Sequence, residues 1–145
     1  MGARVASGAR RDVSGRSIDE LLAEARARLD RVEPREALAE VTDGAILVDL
    51  REANQRASDG AIEGAIAHSR LVLEWRADPD CEWRDERIAD RSLRLILFCN
   101  HGYSSSLAAA TLRDMGFARA TDMVGGFEAW AQAGLPVVPV ESSDR

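Results

Sequence analysis

Leu95-Ile96-Leu97-Phe98-Cys99-Asn100-His101-Gly102-Tyr103-Ser104-Ser105-Ser106-Leu107-Ala108-Ala109-Ala110 is the stretch on which the fold turns. Its apolar start, extended back to Leu93, reads as a strand over 93–98 buried on both faces. Residues 104–115 read as an alanine-rich helix stopped by Gly116 just past its end. Cys99 stands at the junction. A strand end holds its sulfur rigidly. A short loop containing Gly102 turns backbone N–H groups toward one point, and the following helix aims its positive end there. Periodicity alone leaves Cys99 either a packed structural thiol or a nucleophile.

The same alternation extends in both directions. Residues 45–50, Ala-Ile-Leu-Val-Asp-Leu, form a second apolar run that fits a parallel strand. Asp43-Gly44 marks the turn before it. Ser17-Ile18-Asp19-Glu20 reads as a capping box opening a helix with Leu21, Leu22, Ala25, Leu29 and Val32 at helical spacing. Pro34 suits the first turn of a second helix over 35–41. Residues 61–67 read as a loop entering a short strand, and 71–90 as short helical pieces. Residues 118–124 read as a short strand, and 127–133 as a last helix ended by Gly134. Strands alternating with helices predict an α/β fold, a mainly parallel sheet with helices on both faces. Ligands bind such sheets at the carboxyl ends of the strands, which is where Cys99 stands.

The chain has 145 residues, 46% of them apolar, and a net charge of −6. That length suits one domain, expected over 17–140, with a flexible segment at 1–16 and a tail at 141–145. The acidic balance argues against nucleic acid or an anionic membrane surface as partner. No apolar run is long enough to span a bilayer, and residues 1–16 lack the apolar core of a secretory signal. Two cysteines, Cys81 and Cys99, do not make a disulfide scaffold, and no metal-ligand spacing is present. A reducing cytoplasm, where a free thiolate survives, is the expected compartment.

Five segments in order then make the chain resemble a single-domain rhodanese, a sulfurtransferase. Val48-Asp49-Leu50-Arg51-Glu52 resembles that family's D-x-R-E at a strand end. Gly60-Ala61-Ile62-Glu63-Gly64-Ala65 resembles G-H-I-P-G-A, with Ala61 and Glu63 replacing histidine and proline. Cys99 to Ser105 resembles the active loop C-x-x-G-x-R-S, with Ser104 in place of arginine. Leu112-Arg113-Asp114-Met115-Gly116-Phe117 resembles L-x-x-x-G-F/Y. Gly125-Gly126-Phe127-Glu128-Ala129-Trp130 with Gly134-Leu135-Pro136-Val137 resembles the closing G-G-x-x-x-W and G-x-P-V. The resemblance runs from about residue 32 to 138.

The resemblance implies a rhodanese-like sheet of five strands. It also implies a Cys99 thiolate that takes sulfane sulfur from a donor such as thiosulfate or a persulfide, becomes a persulfide, and passes the sulfur to cyanide, a thiol or a protein thiol. Asn100, His101, Gly102, Tyr103, Ser104 and Ser105 would form the substrate loop, with Asp49 and Arg51 supporting the strand ends. No metal or organic cofactor is required. Arginine at the Ser104 position would add a fixed cation and a planar fork for an oxyanion, so its loss weakens or retunes activity toward thiosulfate. His101 as imidazolium is a candidate substitute for that charge, the plainer reading being an exposed loop residue. Tyr103 either walls the pocket or packs. Ser104, Ser105 and Ser106 are expected to cap the helix. Cys81, between Asp80 and Glu82, has no cationic neighbour. His68 is expected to be structural, and Trp75, Trp83 and Trp130 to lie in the core or the pocket wall.

Two other readings compete. A cysteine phosphatase needs arginine six residues after its cysteine, and that position is Ser105, leaving the phosphate without its main charge stabiliser. A non-catalytic rhodanese-like module that binds a partner or senses redox state fits the loss of the loop arginine, though not the retention of Cys99 with Gly102.

Overall fold

The computed structural model describes residues 15–140. The expected tail at 141–145 and all but the last two residues of the expected flexible segment lie outside the described residues. Four parallel strands form the sheet: β1 (Ile46–Asp49), β2 (Ile66–Ala67), β3 (Leu95–Phe98) and β4 (Thr121–Asp122), in the order β2-β1-β3-β4. Among the described residues six α-helices surround it: α1 (Ile18–Ala27), α2 (Pro34–Thr42), α3 (Ala53–Asp59), α4 (Leu73–Ala77), α5 (Ser104–Asp114) and α6 (Gly126–Gln132). A 3-10 turn, Arg70–Val72, leads into α4.

Alternation along the strands sorts the core into two clusters. Leu95 and Leu97 of β3 join Val48, Leu73, Ala109, Leu112 and Phe117 on the α5 side. Ile96 and Phe98 join Leu47, Ala37, Met123, Phe127 and Trp130 on the side of α2 and α6. All four residues of β3 are fully buried, each worth roughly 1.5–3 kcal/mol relative to exposure. The small residues Ala108 and Ala109 are also buried, so α5 lies close against the sheet. The capping box of α1 forms as expected, with Ser17 and Glu20 each serving the other's backbone N–H.

Two expectations change. Five strands were anticipated, and four form among the described residues; the 118–124 segment keeps only two residues as β4. Val32 adds a one-residue parallel bridge beside Met123, through Val32 N–H to Asp122 O at 3.1 Å and Val124 N–H to Val32 O at 2.8 Å. It extends no further because Pro34 has no N–H for a ladder and opens α2 two residues later. Trp130 is buried, its Nε1–H donating to Pro136 O at 2.8 Å. Trp75 and Trp83, however, are 56% and 65% exposed. The five-residue α4 buries Leu73 and Ala77, four apart on one face, which turns Trp75 to the other.

The strand order places the site. From β1 the chain moves outward to β2, and from β3 it moves the opposite way to β4. The switch point therefore lies between β1 and β3, where a crevice opens at the carboxyl ends of an α/β sheet. Asp49 ends β1, Phe98 ends β3 opposite it in register, and Cys99 follows directly.

Candidate active site

Cys99 is buried at the end of β3. The Gly102 N–H donates to its Sγ at 3.1 Å, and the Sγ–H donates to Ser105 Oγ at 3.4 Å. Burial pushes the thiol up in pKa, because a thiolate loses water there. Opposing this are hydrogen bonds from the Ser105 hydroxyl and amide, the Ser104 hydroxyl and the Gly102 amide. The net effect is a Cys99 pKa below the ordinary thiol value.

The loop is held from below by the start of α6. Phe127 N–H donates to Cys99 O at 2.9 Å and Glu128 N–H to Asn100 O at 3.0 Å. The approach is close: a Cβ on Gly126 would meet Cys99 O at 2.4 Å, and one on Gly102 would meet Gly125 N at 2.8 Å. Gly102 also has φ +87, a conformation that side chains rarely adopt. The paired glycines 125 and 126 thus explain how β3, the loop and α6 meet in so little space.

The other loop residues separate by exposure. Asn100 is half-buried, with its side chain 3.3 Å from His101 Nε2. His101 is exposed, its Nδ1 3.2 Å from Glu128 Oε1. Tyr103 is 62% exposed, with the Arg26 guanidinium 5.5 Å from its ring centroid, and it does not join the core. Ser104 is exposed.

The expectation that the three serines cap α5 is corrected. The cap residue is Tyr103, and no side chain caps the helix. Ser105 and Ser106 are buried and point sideways, each hydroxyl donating to Asp122 Oδ2 at 2.8 Å. A capping hydroxyl accepts from a helix amide at the position before the helix, whereas these two lie inside the first turn of α5 and donate charge-assisted bonds to a buried carboxylate.

Asp49 and Arg51 form a buried bidentate pair: Arg51 Nη2 donates to Asp49 Oδ2 at 2.9 Å and Nε to Oδ1 at 3.1 Å. Arg51 also donates to Gly60 O at 2.8 Å, and its guanidinium lies 3.8 Å from the centroid of the Phe127 ring. The pair therefore ties the end of β1 to α6, the helix beneath the Cys99 loop. His68 Nε2 sits 2.7 Å from Asp85 Oδ2, and its backbone N–H donates to Asp49 O at 3.0 Å. Cys81 is half-buried in a turn, its sulfur accepting from Trp83 N–H at 3.4 Å, and both cysteines are free. Among the described residues no group of His, Cys, Asp and Glu is placed to hold a metal, and no helix is long and apolar enough to cross a membrane.

Three residues at the site escape sequence reasoning: Asp122, Arg26 and Arg31. Arg31 Nε donates to Asp122 Oδ1 at 2.8 Å, and its Nη2 to Gly102 O at 3.1 Å. Arg26 Nη2 donates to the same Gly102 O at 2.7 Å, and its Nε to Ser106 Oγ at 3.1 Å. The one sequence signal is Asp122 itself, a carboxylate inside a segment read as a short strand.

A parallel α/β sheet with a cysteine loop at its switch point is the architecture of rhodanese-like domains. The chain belongs to that family: the rhodanese-like domain model matches residues 33–133. Among curated relatives, it is 32% identical over 107 residues to thiosulfate sulfurtransferase GlpE of Haemophilus influenzae, covering 73% of this chain and 91% of that one. To GlpE of Stutzerimonas stutzeri it is 37% identical over 100 residues, covering 69% and 83%. Among solved structures it resembles a protein of unknown function from Rhodopseudomonas palustris, described as a possible tyrosine phosphatase. That match has TM-score 0.78 and 30% identity, covering 84% of this chain and 94% of that one.

Proposed function

We propose that the protein is a sulfurtransferase that carries sulfane sulfur as a persulfide on Cys99. The observation that carries this reading is the thiol itself. It is buried, yet held below its ordinary pKa by loop amides and hydroxyls at a strand end. The curated relatives named thiosulfate sulfurtransferase support it.

The Cys99 thiolate attacks the outer sulfur of a donor. With thiosulfate, the new S–S bond forms as the bond to the sulfonate sulfur breaks, and sulfite leaves with the electron pair. With a low-molecular-weight persulfide, the departing group is a thiolate. The Gly102 and Ser105 amides hold the charge of the resulting Cys99 persulfide. An acceptor then attacks the outer sulfur; cyanide leaves as thiocyanate, a thiol as a persulfide, and Cys99 returns as thiolate. No protein base is needed, because the nucleophile enters and leaves as an anion.

Ser104 offers the donor a hydroxyl and no guanidinium. A doubly charged donor is therefore held by neutral groups, and donors of lower charge compete better than they would against an arginine-bearing loop. Phosphate-ester hydrolysis is disfavoured by the same geometry. The position where a phosphatase needs arginine is the buried Ser105, and Arg26 and Arg31 bond the Gly102 carbonyl and Asp122.

The test is turnover of thiosulfate and of a glutathione persulfide with cyanide as acceptor, followed as thiocyanate. Wild type and Cys81→Ser should turn over alike, with the persulfide the faster donor, and Cys99→Ser should be inactive. Equal rates for Cys99→Ser and wild type would remove the proposal.

A further inference from the structure

We propose that Arg31, with Arg26, is a positioning residue for Cys99, a pair of cations acting on the loop from outside it in place of the arginine that Ser104 lacks. The inference rests on reading Cys99 as the reacting thiol. Both arginines precede residue 33, where the family match begins, so they come from a part of the chain that the family pattern does not include.

The first route runs through the loop backbone. Gly102 O accepts from Arg26 Nη2 at 2.7 Å and from Arg31 Nη2 at 3.1 Å. A peptide unit is planar, so fixing this carbonyl fixes the Gly102–Tyr103 peptide as a whole. Two cations on the carbonyl oxygen hold that peptide, and the turn it belongs to, in one orientation. Gly102's own N–H, one peptide earlier, is already on Sγ.

The second route runs through Asp122, which is fully buried. Arg31 grips both its oxygens, Nε to Oδ1 at 2.8 Å and Nη2 to Oδ2 at 3.2 Å. Ser105 and Ser106 donate to Oδ2. A hydroxyl has one proton. While Ser105 gives it to Asp122, the Ser105 oxygen can only accept from Cys99 S–H, the neutral arrangement. To hold a thiolate or persulfide anion, that proton must swing to sulfur. Asp122 tolerates the loss because Ser106 and the Arg31 fork remain on it. Without Arg31, the carboxylate would be buried with only serine hydroxyls and would keep the Ser105 proton. Arg31 therefore sets how readily Ser105 turns to sulfur.

The charged groups around the thiol are Arg26 of α1, Arg31, Asp122 of β4, His101 of the loop paired with Glu128 of α6, and the Asp49–Arg51 pair against Phe127. His101 and Glu128 are exposed, and Asp49 and Arg51 are engaged with each other in a bidentate pair. The Arg31–Asp122 pair is the one hydrogen-bonded to the serine that touches sulfur.

The experiment measures iodoacetamide alkylation of Cys99 from pH 5 to 10 in a Cys81→Ser background, with His101→Gln as the control for imidazole titration. Arg31→Met should move the midpoint up and slow alkylation at pH 6.5 by roughly three- to tenfold, a change of half to one pH unit in a charge acting through one relay. Arg31→Lys should recover most of the rate. Arg26→Met should slow alkylation less, by about twofold. Asp122→Asn should speed it, because the Ser105 proton is released to sulfur. If Arg31→Met does not fold, the opposite signs of Arg26→Met and Asp122→Asn decide the matter. A purely structural role would lower melting temperature with the midpoint unmoved, or slow every variant alike, and either result overturns the proposal. Alkylation needs no sulfur donor. A shifted midpoint without sulfur transfer keeps this inference and rejects the sulfurtransferase reading, and the reverse result does the opposite.

Discussion

Gly102→Ala separates two physical contributions at the loop. The first is backbone strain. At φ +87 an alanine is in the left-handed region, at about 1–2 kcal/mol. The second is contact. The new methyl carbon would lie 2.8 Å from Gly125 N and 3.2 Å from Gly125 Cα and Gly126 N. These are backbone atoms, so no side-chain rotation relieves the clash, and overpacking of this kind adds roughly 1–3 kcal/mol. Gly64 supplies the control: its φ is +86, and a methyl there would meet nothing within 4 Å. At about 3 °C per kcal/mol for a chain of this size, Gly64→Ala should melt roughly 3–6 °C below wild type and Gly102→Ala roughly 6–15 °C below. Gly102→Ala should also alkylate more slowly at Cys99, because relieving the clash pulls the Gly102 N–H off the sulfur. Calorimetry and iodoacetamide kinetics read the two effects. Equal melting losses in both variants, or an unchanged Cys99 alkylation rate in Gly102→Ala, would refute the reasoning.

Removing one partner of the buried Asp49–Arg51 pair, as in Arg51→Met, should lower stability in urea by about 3–5 kcal/mol; Asp49→Leu/Arg51→Met should lose less than the two single changes summed. Ser104→Arg should raise thiosulfate kcat/KM about tenfold, since a charge-assisted bond to the donor is worth ~1.5 kcal/mol. An unchanged value would show that the absent loop cation is not limiting. Asp85 is held well below the usual carboxylate range, chiefly by the Arg87 guanidinium, with burial opposing and the Arg87 amide and His68 assisting. A lowered folded pKa stabilises above the unfolded value of ~3.9 and is lost as pH falls through the folded one. Wild type should therefore be more stable than Asp85→Asn at pH 7, and the gap should shrink steadily below pH 4 in urea titrations.

The local features of this chain were legible. The Ser17–Glu20 box needs only residues three apart, and the runs at 45–50 and 93–98 are apolar enough to be read as buried strands without partners. The Cys99 loop followed from its place between such a strand and a small-residue helix. Features made by distant residues were not legible. The Arg26 and Arg31 bonds to Gly102 join positions 76 and 71 residues apart, and nothing in the arginine spacing announces them. Ser105 and Ser106 have the chemistry of capping residues, and only the position of Asp122 beside α5 shows that their hydroxyls donate to a carboxylate rather than accept from the helix amides. Trp75 was misplaced because aromatic content suggests core, while the short α4 has room on its inner face for Leu73 and Ala77 alone. The shortened edge strands depend on where ladder hydrogen bonds stop, which Pro34 signals on one side only.

The most direct measurement is intact and peptide mass spectrometry of the protein after incubation with thiosulfate or a low-molecular-weight persulfide. A gain of about 32 Da, one covalently bound sulfur on a thiol, should map to Cys99, be removed by cyanide, and be absent in Cys99→Ala. No adduct with either donor, or an adduct confined to Cys81, would contradict the account.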